Sequence, residues 1–129
     1  MVEKPGAGAL VADVGCGHGH SAMLMAQAFP ASRFRGFDAH AASIAEARRL
    51  AAEAGLADRV SFEPGRASDY PGTAYDLICF FDCLHDMGDP VAAAAHAMRA
   101  LAPDGTVMLV DPFARDHVEG NISPVGRLY

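Results

Sequence analysis

The sequence has little of what several classes of protein need. Its 129 residues include ten Lys and Arg against sixteen Asp and Glu, a formal net charge of −6. This balance argues against a nucleic-acid-binding surface, which normally has a basic face. No apolar run reaches the length of a membrane span, and Glu3 and Pro5 interrupt any signal-peptide pattern. We expect a cytoplasmic protein whose partners through this domain include neither nucleic acid nor a membrane.

Cysteine is also scarce. The three residues Cys16, Cys79 and Cys83 are an odd set without CxxC spacing, which favours a reduced compartment. Together with His18 and His85 they raise the alternative of a metal site. Cysteines scattered over strands and loops are more often small core residues, so we predict no metal.

What the sequence does have is a regular alternation of apolar runs and helical periodicity. The predicted strands are Ala9–Val14, Phe34–Asp38, Val60–Glu63, Asp76–Phe81 and Thr106–Val110. Predicted helices start at Ser21, span Ala41–Ala54, and follow the Asp89-Pro90 cap. Residues 65–74 and 112–129 match no element, and Pro103-Asp104-Gly105 predicts a turn. This order predicts one domain of the α/β class, a Rossmann-like doubly wound parallel sheet.

Helical spacing also predicts the buried face of each helix. In the first helix this face carries Ala22, Met25, Ala26 and Phe29, and in the second Ile44, Ala47, Ala51 and Ala54. In the third it carries Val91, Ala94, Ala95, Met98 and Leu101.

The stretch Val11–His20, VADVGCGHGH, joins the first strand to the first helix through glycines at 15, 17 and 19. A strand, a glycine turn and a helix hold a ligand at the helix amino end. His20 stands where a dinucleotide-binding loop needs its third glycine, and no lysine follows as in a phosphate-binding loop. The pattern therefore disfavours a nicotinamide-dependent oxidoreductase, which stays as the less favoured alternative.

Four motifs together resemble the class I S-adenosylmethionine-dependent methyltransferases. They are VADVGCGHG around Gly15, GFD at Gly36–Asp38, YDLI at Tyr75–Ile78 and LAPDGT at Leu101–Thr106. The resemblance covers residues 9–111 and implies a sheet in the order 3-2-1-4-5. The family usually adds strands 6 and 7, which this sequence does not supply. We therefore expect residues 1–129 to be a single methyltransferase core, incomplete at both ends.

The resemblance also implies which residues hold the cofactor, S-adenosyl-L-methionine. Asp13 and the glycine loop would hold its methionine part, since an ammonium needs an acid and a carboxylate suits the N–H groups of a helix start. Asp38 would take the two ribose hydroxyls, although it could also cap the second helix. The expected cofactor-binding residues are Asp13, Gly15, Cys16, Gly17, Gly19, Asp38, Ala39, Arg66, Ala67, Phe81 and Asp82.

Arg66 departs from the family's pattern, which often has an acid at that position to accept the adenine amino group. A guanidinium has no acceptor. Either Arg66 stacks or points away, with Ser68 or Asp69 substituting, or adenine binding is weakened.

The chemistry is expected in the loop Phe80–Pro90. Methyl transfer from a sulfonium is an in-line displacement in which positioning supplies much of the catalysis. A base is needed only where the acceptor must lose a proton. His85 and Asp86 are the predicted base and orienting partner, the alternative being that they only anchor the loop.

The resulting hypothesis is methyl transfer to a small-molecule acceptor. The first alternative is a noncatalytic S-adenosylmethionine-binding fragment, because the early end of the chain leaves its turnover open. That end would also expose strand five as an edge through which two copies could pair.

Overall fold

A computed structural model describes residues 7–113 as one five-stranded parallel sheet with three α-helices. The strands are β1 (Leu10–Val14), β2 (Arg33–Asp38), β3 (Val60–Pro64), β4 (Tyr75–Phe81) and β5 (Leu101–Val110). The helices are α1 (His20–Ala28), α2 (Ala41–Glu53) and α3 (Pro90–Ala100), and a 3₁₀ turn spans Leu84–Asp86. The sheet order β3-β2-β1-β4-β5 confirms the predicted class and order.

The strand order reverses beside β1, the central strand. The chain builds outward from β1 to β3, then returns to place β4 and β5 on the other side. Val11 of β1 therefore pairs with Phe34 of β2 on one side and Leu77 of β4 on the other. All strands are parallel, so their carboxyl ends share one edge, and a ligand of such a sheet binds where the order reverses.

Successive residues of β1 enter two different cores, as the alternation of a strand requires. Val11 packs on the face covered by α1 and α2, among residues such as Ala22 and Ile44. Ala12 and Val14 pack on the face covered by α3. The sheet is thus covered on both sides, which explains why the central strands lack alternating polar residues.

The predicted buried face of α3 is wrong. Ala93, Ala97 and Ala100 are the buried residues, whereas Val91 is 77% and Met98 66% exposed. The helix carries apolar residues on nearly every face, so periodicity alone could not choose among them. Alanine allows the helix backbone to approach the sheet closely, and the longer side chains then face outward.

The other two helices depart less from expectation. Met25 in α1 and Phe29 just after it were expected to be buried, but both are half-buried. Met23 is buried instead. In α2 the expected alanines and Ile44 are buried, except Ala54, which caps the helix and is exposed.

β5 begins at Leu101, five residues earlier than predicted. Tyr75 pairs with Leu101 and Leu77 with Thr106, so the predicted turn at residues 103–105 lies inside a register shift of this strand. Pro103 has no N–H for a ladder, and a Cβ on Gly105 would lie 2.7 Å from the Tyr75 carbonyl oxygen. Both residues suit such an irregularity.

Two further expectations concern segments without regular structure. Residues 65–74 contain no helix, as predicted. Most of the stretch 112–129 lies outside the described residues. No helix within residues 7–113 is long and apolar enough to cross a membrane.

Candidate active site

The carboxyl ends of β1 to β4 open into one cleft of about 490 Å³, a volume in the range of small-molecule sites. Seven predicted site residues line it: Gly15, Asp38, Ala39, Arg66, Ala67, Asp82 and Asp86. The remaining lining residues are Gly65, Ser68, Cys83, Met87, Gly88 and Asp89. Of these, Ser68 was an alternative adenine contact and Cys83 an alternative metal ligand, and the other four had no predicted site role. The cleft lining does not include the other predicted residues, which are Asp13, Cys16, Gly17, Gly19, Phe81 and His85.

Two parts of the wall differ in construction. At the glycine-loop end, Gly15 and Asp38 line the wall, and the rest of the loop, residues 16–19, leads from Gly15 to α1. The aspartate end consists of Asp82, Asp86 and Asp89, which follow β4.

The glycine loop turns sharply, with φ of +74° at Gly15, +54° at Gly17 and +81° at Gly19. L side chains rarely adopt these angles. The backbone N–H groups of Gly15 and Cys16 both donate to the Phe37 carbonyl oxygen, at 2.8 and 3.0 Å. The loop is therefore tied to the neighbouring strand rather than standing free.

The aromatic ring of Phe62 fixes the loop from below. A Cβ on Gly19 or on Gly36 would overlap this ring. Phe62 had no predicted role, although a glycine inside β2 is a sequence signal for the close approach of another group at that point.

Asp38 joins the loop to the start of α2. Its Oδ2 accepts from the Gly17 N–H at 2.9 Å and its Oδ1 accepts from the His40 N–H, also at 2.9 Å. Each carboxylate oxygen has more than one acceptor direction, so the group retains capacity for a ligand.

Asp13 lies behind the loop and is only 1% exposed. Burial raises its pKa to about 7; the Ala22 backbone N–H lowers the pKa, and the charge of Asp38 raises it. Its Oδ2 has no hydrogen-bond partner among the described residues. A buried carboxyl in this state gains from a nearby cation.

The amino end of α1 faces the same region. Gly19 is the capping residue, and no side chain caps this end of the helix. Helix amino ends without such a cap offer backbone N–H groups and a partial positive charge to an anion.

Arg66 lies at the far side of the cleft, after β3, with its side chain 75% exposed. Its Nε donates to Asp69 Oδ2 at 2.9 Å. Asp69 is thus engaged by Arg66, while Ala67 and Ser68 line the wall beside them.

The polypeptide after β4 is bent sharply. Asp82 has a φ of +51°, and its N–H donates to the Val110 carbonyl oxygen at 2.6 Å. Cys83 then packs against Gly15, where a Cβ would lie 2.9 Å from the sulfur. Burial raises the pKa of the Cys83 thiol to about 12, so it is protonated near neutral pH.

His85 hydrogen-bonds Asp111 rather than its sequence neighbour. Nδ1 lies 2.8 Å from Asp111 Oδ1, and Nε2 lies 3.5 Å from Asp86 Oδ2. The pKa of His85 is raised, chiefly by the hydrogen bond to Asp111. Burial acts in the opposite direction, and the negative charges of Asp86, Asp111 and Asp82 raise the pKa further. Ligand atoms of Asp82, His85 and Asp111 lie within 4.8 Å of one another, close enough to hold a cation.

Asp111 was not assigned to the site. The sequence signal for Asp111 was its position directly after β5, because acids that follow parallel strands lie at the same edge of the sheet.

Comparison with known proteins agrees with this geometry. The profile of a methyltransferase domain matches residues 6–126. Ajmaline N-methyltransferase of Rauvolfia serpentina is 30% identical over 114 residues, 87% of this chain and 37% of the relative. Trans-aconitate 2-methyltransferase of Paracidovorax citrulli is 38% identical over 104 residues, 79% of this chain and 38% of the relative.

Among solved structures, the [4+2]-cyclase SpnF superimposes with a TM-score of 0.77 at 29% identity, covering 84% of this chain and 41% of SpnF. The chain thus spans about two fifths of the length of these relatives.

Proposed function

Because this chain belongs to the methyltransferase-domain family, we propose that its cleft holds S-adenosylmethionine, the cofactor of that family, and that it transfers the methyl group to a small molecule. The observation that carries the proposal is the glycine loop, which is bound through Asp38 to the strand beside it and reaches the cleft wall at Gly15.

The methionine part fits the glycine-loop end. Its carboxylate would meet the uncapped amino end of α1, where backbone N–H groups favour an anion. Its ammonium would lie in the field of Asp13, whose buried carboxyl has an unpartnered oxygen. Asp13 does not line the cleft, so its charge would act on the ammonium across the glycine loop and not by direct contact at the wall.

The ribose fits Asp38. Both carboxylate oxygens already accept one backbone N–H each, which holds the group in place. Their remaining acceptor directions would take the two vicinal hydroxyls of the ribose.

The adenine would lie against Gly65, Ala67 and Ser68, the part of the wall that follows β3. Arg66 contributes its exposed, ion-paired guanidinium at the rim. The substitute acceptor for the adenine amino group is then Ser68 rather than Asp69, because Ser68 lines the cleft and Asp69 does not.

The transfer itself would be an in-line displacement on the methyl carbon, so the cleft must chiefly position the two reactants. Where the acceptor must lose a proton, His85 would take it. Donation of Nδ1–H to Asp111 selects the neutral tautomer in which Nε2 is the acceptor atom. Asp111 is the orienting partner in this proposal, with Asp86 at the longer distance.

Calorimetric titration of the 129-residue chain with S-adenosylmethionine and S-adenosylhomocysteine tests the cofactor. Asp38→Ala should weaken both at least tenfold. Asp58→Ala is the matched control, because it removes an exposed acid before β3, at the opposite edge of the sheet. Binding of NADH without binding of either sulfur compound would instead favour an oxidoreductase.

Binding without turnover is the second candidate. SpnF is a [4+2]-cyclase, so similarity to this fold does not by itself imply methyl transfer. Transfer of a labelled methyl group to a panel of amines, alcohols and acids separates the enzyme from the binder. The relatives do not choose among acceptors, since one is an N-methyltransferase and another is named for trans-aconitate.

The homodimer expected through strand five stays a prediction. β5 is the outermost strand of the described sheet, and Leu109 and Val110 are 52% and 51% exposed. Analytical ultracentrifugation of the chain tests it.

A further inference from the structure

We propose that His96, on α3, is a positioning residue for the adenine side of the cofactor site, because it holds the turn of residues 65–70 against the sheet. The inference rests on the proposed function, since it concerns the wall that the adenine would contact. It goes further by assigning a role to a side chain that lies outside the cleft lining and had no predicted role.

The turn of residues 65–70 carries the adenine side of the wall without a helix to support it. Residues 65–68 line the cleft, and the segment 65–74, which joins β3 to β4, contains no helix. Parallel strands are usually joined through a helix that packs on the sheet. The position of this part of the wall must therefore come from other contacts.

One end of the turn is fixed by the backbone. The Gly65 N–H donates to the Asp38 carbonyl oxygen at 3.0 Å, which continues the pairing of β2 with β3. The N–H groups of Asp69 and Tyr70 both donate to the Arg66 carbonyl oxygen, at 3.1 and 3.0 Å. These bonds close the turn on itself, so its far end at Tyr70 is held to the sheet by other contacts.

The side chain of Tyr70 supplies those contacts, and the residue is only 1% exposed. Its ring stacks on Phe37 of β2, with the centroids 5.0 Å apart, and lies tilted against Tyr75 of β4 at 6.3 Å. Its hydroxyl has no hydrogen-bond partner among the described residues. Burial of a hydroxyl without a partner is unfavourable, so the ring stabilises the turn by packing and not through its oxygen.

His96 contacts Tyr70 in two ways. Its Nε2 lies 2.8 Å from the Tyr70 carbonyl oxygen, and because a carbonyl oxygen only accepts, the imidazole donates this hydrogen bond. The imidazole also meets the Tyr70 ring edge to face, with the centroids 4.4 Å apart and an interplanar angle of 79°. One side chain thus fixes both the backbone and the ring of the residue that ends the turn.

The packing of α3 places His96 at this point. The buried residues Ala93, Ala97 and Ala100 belong to the same core cluster as Tyr70, and His96 is half-buried beside them. Without the imidazole, the Tyr70 carbonyl loses its donor and the ring loses one of its neighbours. We expect the turn to shift, while the glycine-loop end keeps the geometry that β2 and Phe62 give it.

Two ligands test the inference, each titrated into the isotope-labelled 129-residue chain and followed by NMR. S-adenosylhomocysteine contains adenine, whereas S-ribosylhomocysteine has the amino acid and the ribose without the base. His96→Ala should weaken S-adenosylhomocysteine about tenfold and leave S-ribosylhomocysteine within about twofold. A merely structural role would weaken both ligands alike, because a loss of folded protein does not distinguish them.

Two further variants serve as controls. His96→Gln keeps an N–H donor and should restore the affinity for S-adenosylhomocysteine to within about threefold of the unaltered chain. Arg99→Ala is the matched control, because it removes an exposed side chain from the same helix. It should leave both affinities within about twofold.

The ligand-free chain gives an independent measurement. His96→Ala should shift the amide resonances of residues 65–68 and leave those of residues 15–19 in place. Unchanged resonances of residues 65–68, equal weakening of the two ligands, or an equal effect of Arg99→Ala would overturn the inference. If S-adenosylhomocysteine does not bind the unaltered chain, the proposed function fails and the inference fails with it. If it binds and His96→Ala leaves its affinity within about twofold, the inference alone fails.

Discussion

The glycine-loop end and the aspartate end of the cleft are built on different physical principles. At the first, backbone groups and buried side chains fix the geometry: Phe62 fills the space beneath Gly19, and Asp38 accepts two backbone N–H groups. At the second, exposed side chains of the segment that follows β4 supply charge. One end is therefore sensitive to shape, and the other to electrostatics.

The largest expected effect is at Gly19. Gly19→Ala places a Cβ on the Phe62 ring and forces alanine into a left-handed φ of +81°. We expect a loss of about 4 kcal/mol in the free energy of unfolding, from conformational strain and overpacking together. Urea denaturation followed by circular dichroism measures it.

Gly17→Ala is the matched control for this prediction. Gly17 also has a positive φ, but no atom lies within 4 Å of a Cβ placed there. The substitution should lower the free energy of unfolding by about 1 kcal/mol, which is the conformational strain alone. Equal losses of stability at the two positions would show that overlap with the Phe62 ring does not contribute to the effect at Gly19.

Asp13 should make stability depend on pH. Its pKa is about 7 in the folded chain against 3.8 for the free group, so the folded state binds the proton more tightly. The contribution of Asp13 to the free energy of unfolding is then greatest below pH 4, falls as the pH rises from 4 to 7, and levels off above pH 7. Asp13→Asn should remove this fall and be more stable at pH 8 by about 4 kcal/mol, since each pKa unit corresponds to about 1.4 kcal/mol.

Thermal or urea unfolding of both proteins across pH 5–8 measures the difference. The advantage of the variant should shrink steadily toward low pH. A constant difference at every pH would show that titration of Asp13 is not its cause.

At the aspartate end the corresponding variants should shift a titration and leave folding largely intact. Asp111→Asn removes the hydrogen bond that is the largest cause of the raised pKa of His85. The pKa of His85, followed by NMR, should fall. Asp86→Asn should lower it less, because only the charge of a more distant carboxylate is lost. The reverse order would make Asp86 the orienting partner.

The smallest expected effect is at the rim. Arg66→Ala removes an exposed ion pair, and such pairs contribute little to stability because solvent screens the charges. Its effect on the affinity for S-adenosylhomocysteine should stay below about fivefold. A loss comparable with that of Asp38→Ala would make Arg66 a direct cofactor contact.

Local patterns were enough to predict much of the fold. Apolar runs and glycine or proline boundaries predicted all five strands and three helices, most of them to within a residue or two. The buried face of α3 was missed, because an alanine-rich helix has no unique apolar stripe. The early start of β5 was missed because Pro103 and Gly105 are typical of a turn and here lie within a strand irregularity.

The sequence by itself determined the loop of Gly15–Gly19 and the acid at Asp38, because backbone conformation and strand ends are encoded locally. Only the tertiary structure decided that Phe62 lies beneath the loop and that Asp111 reaches His85. Those contacts join residues more than twenty positions apart. They depend on strand order and helix packing, which bring distant side chains to one edge of the sheet.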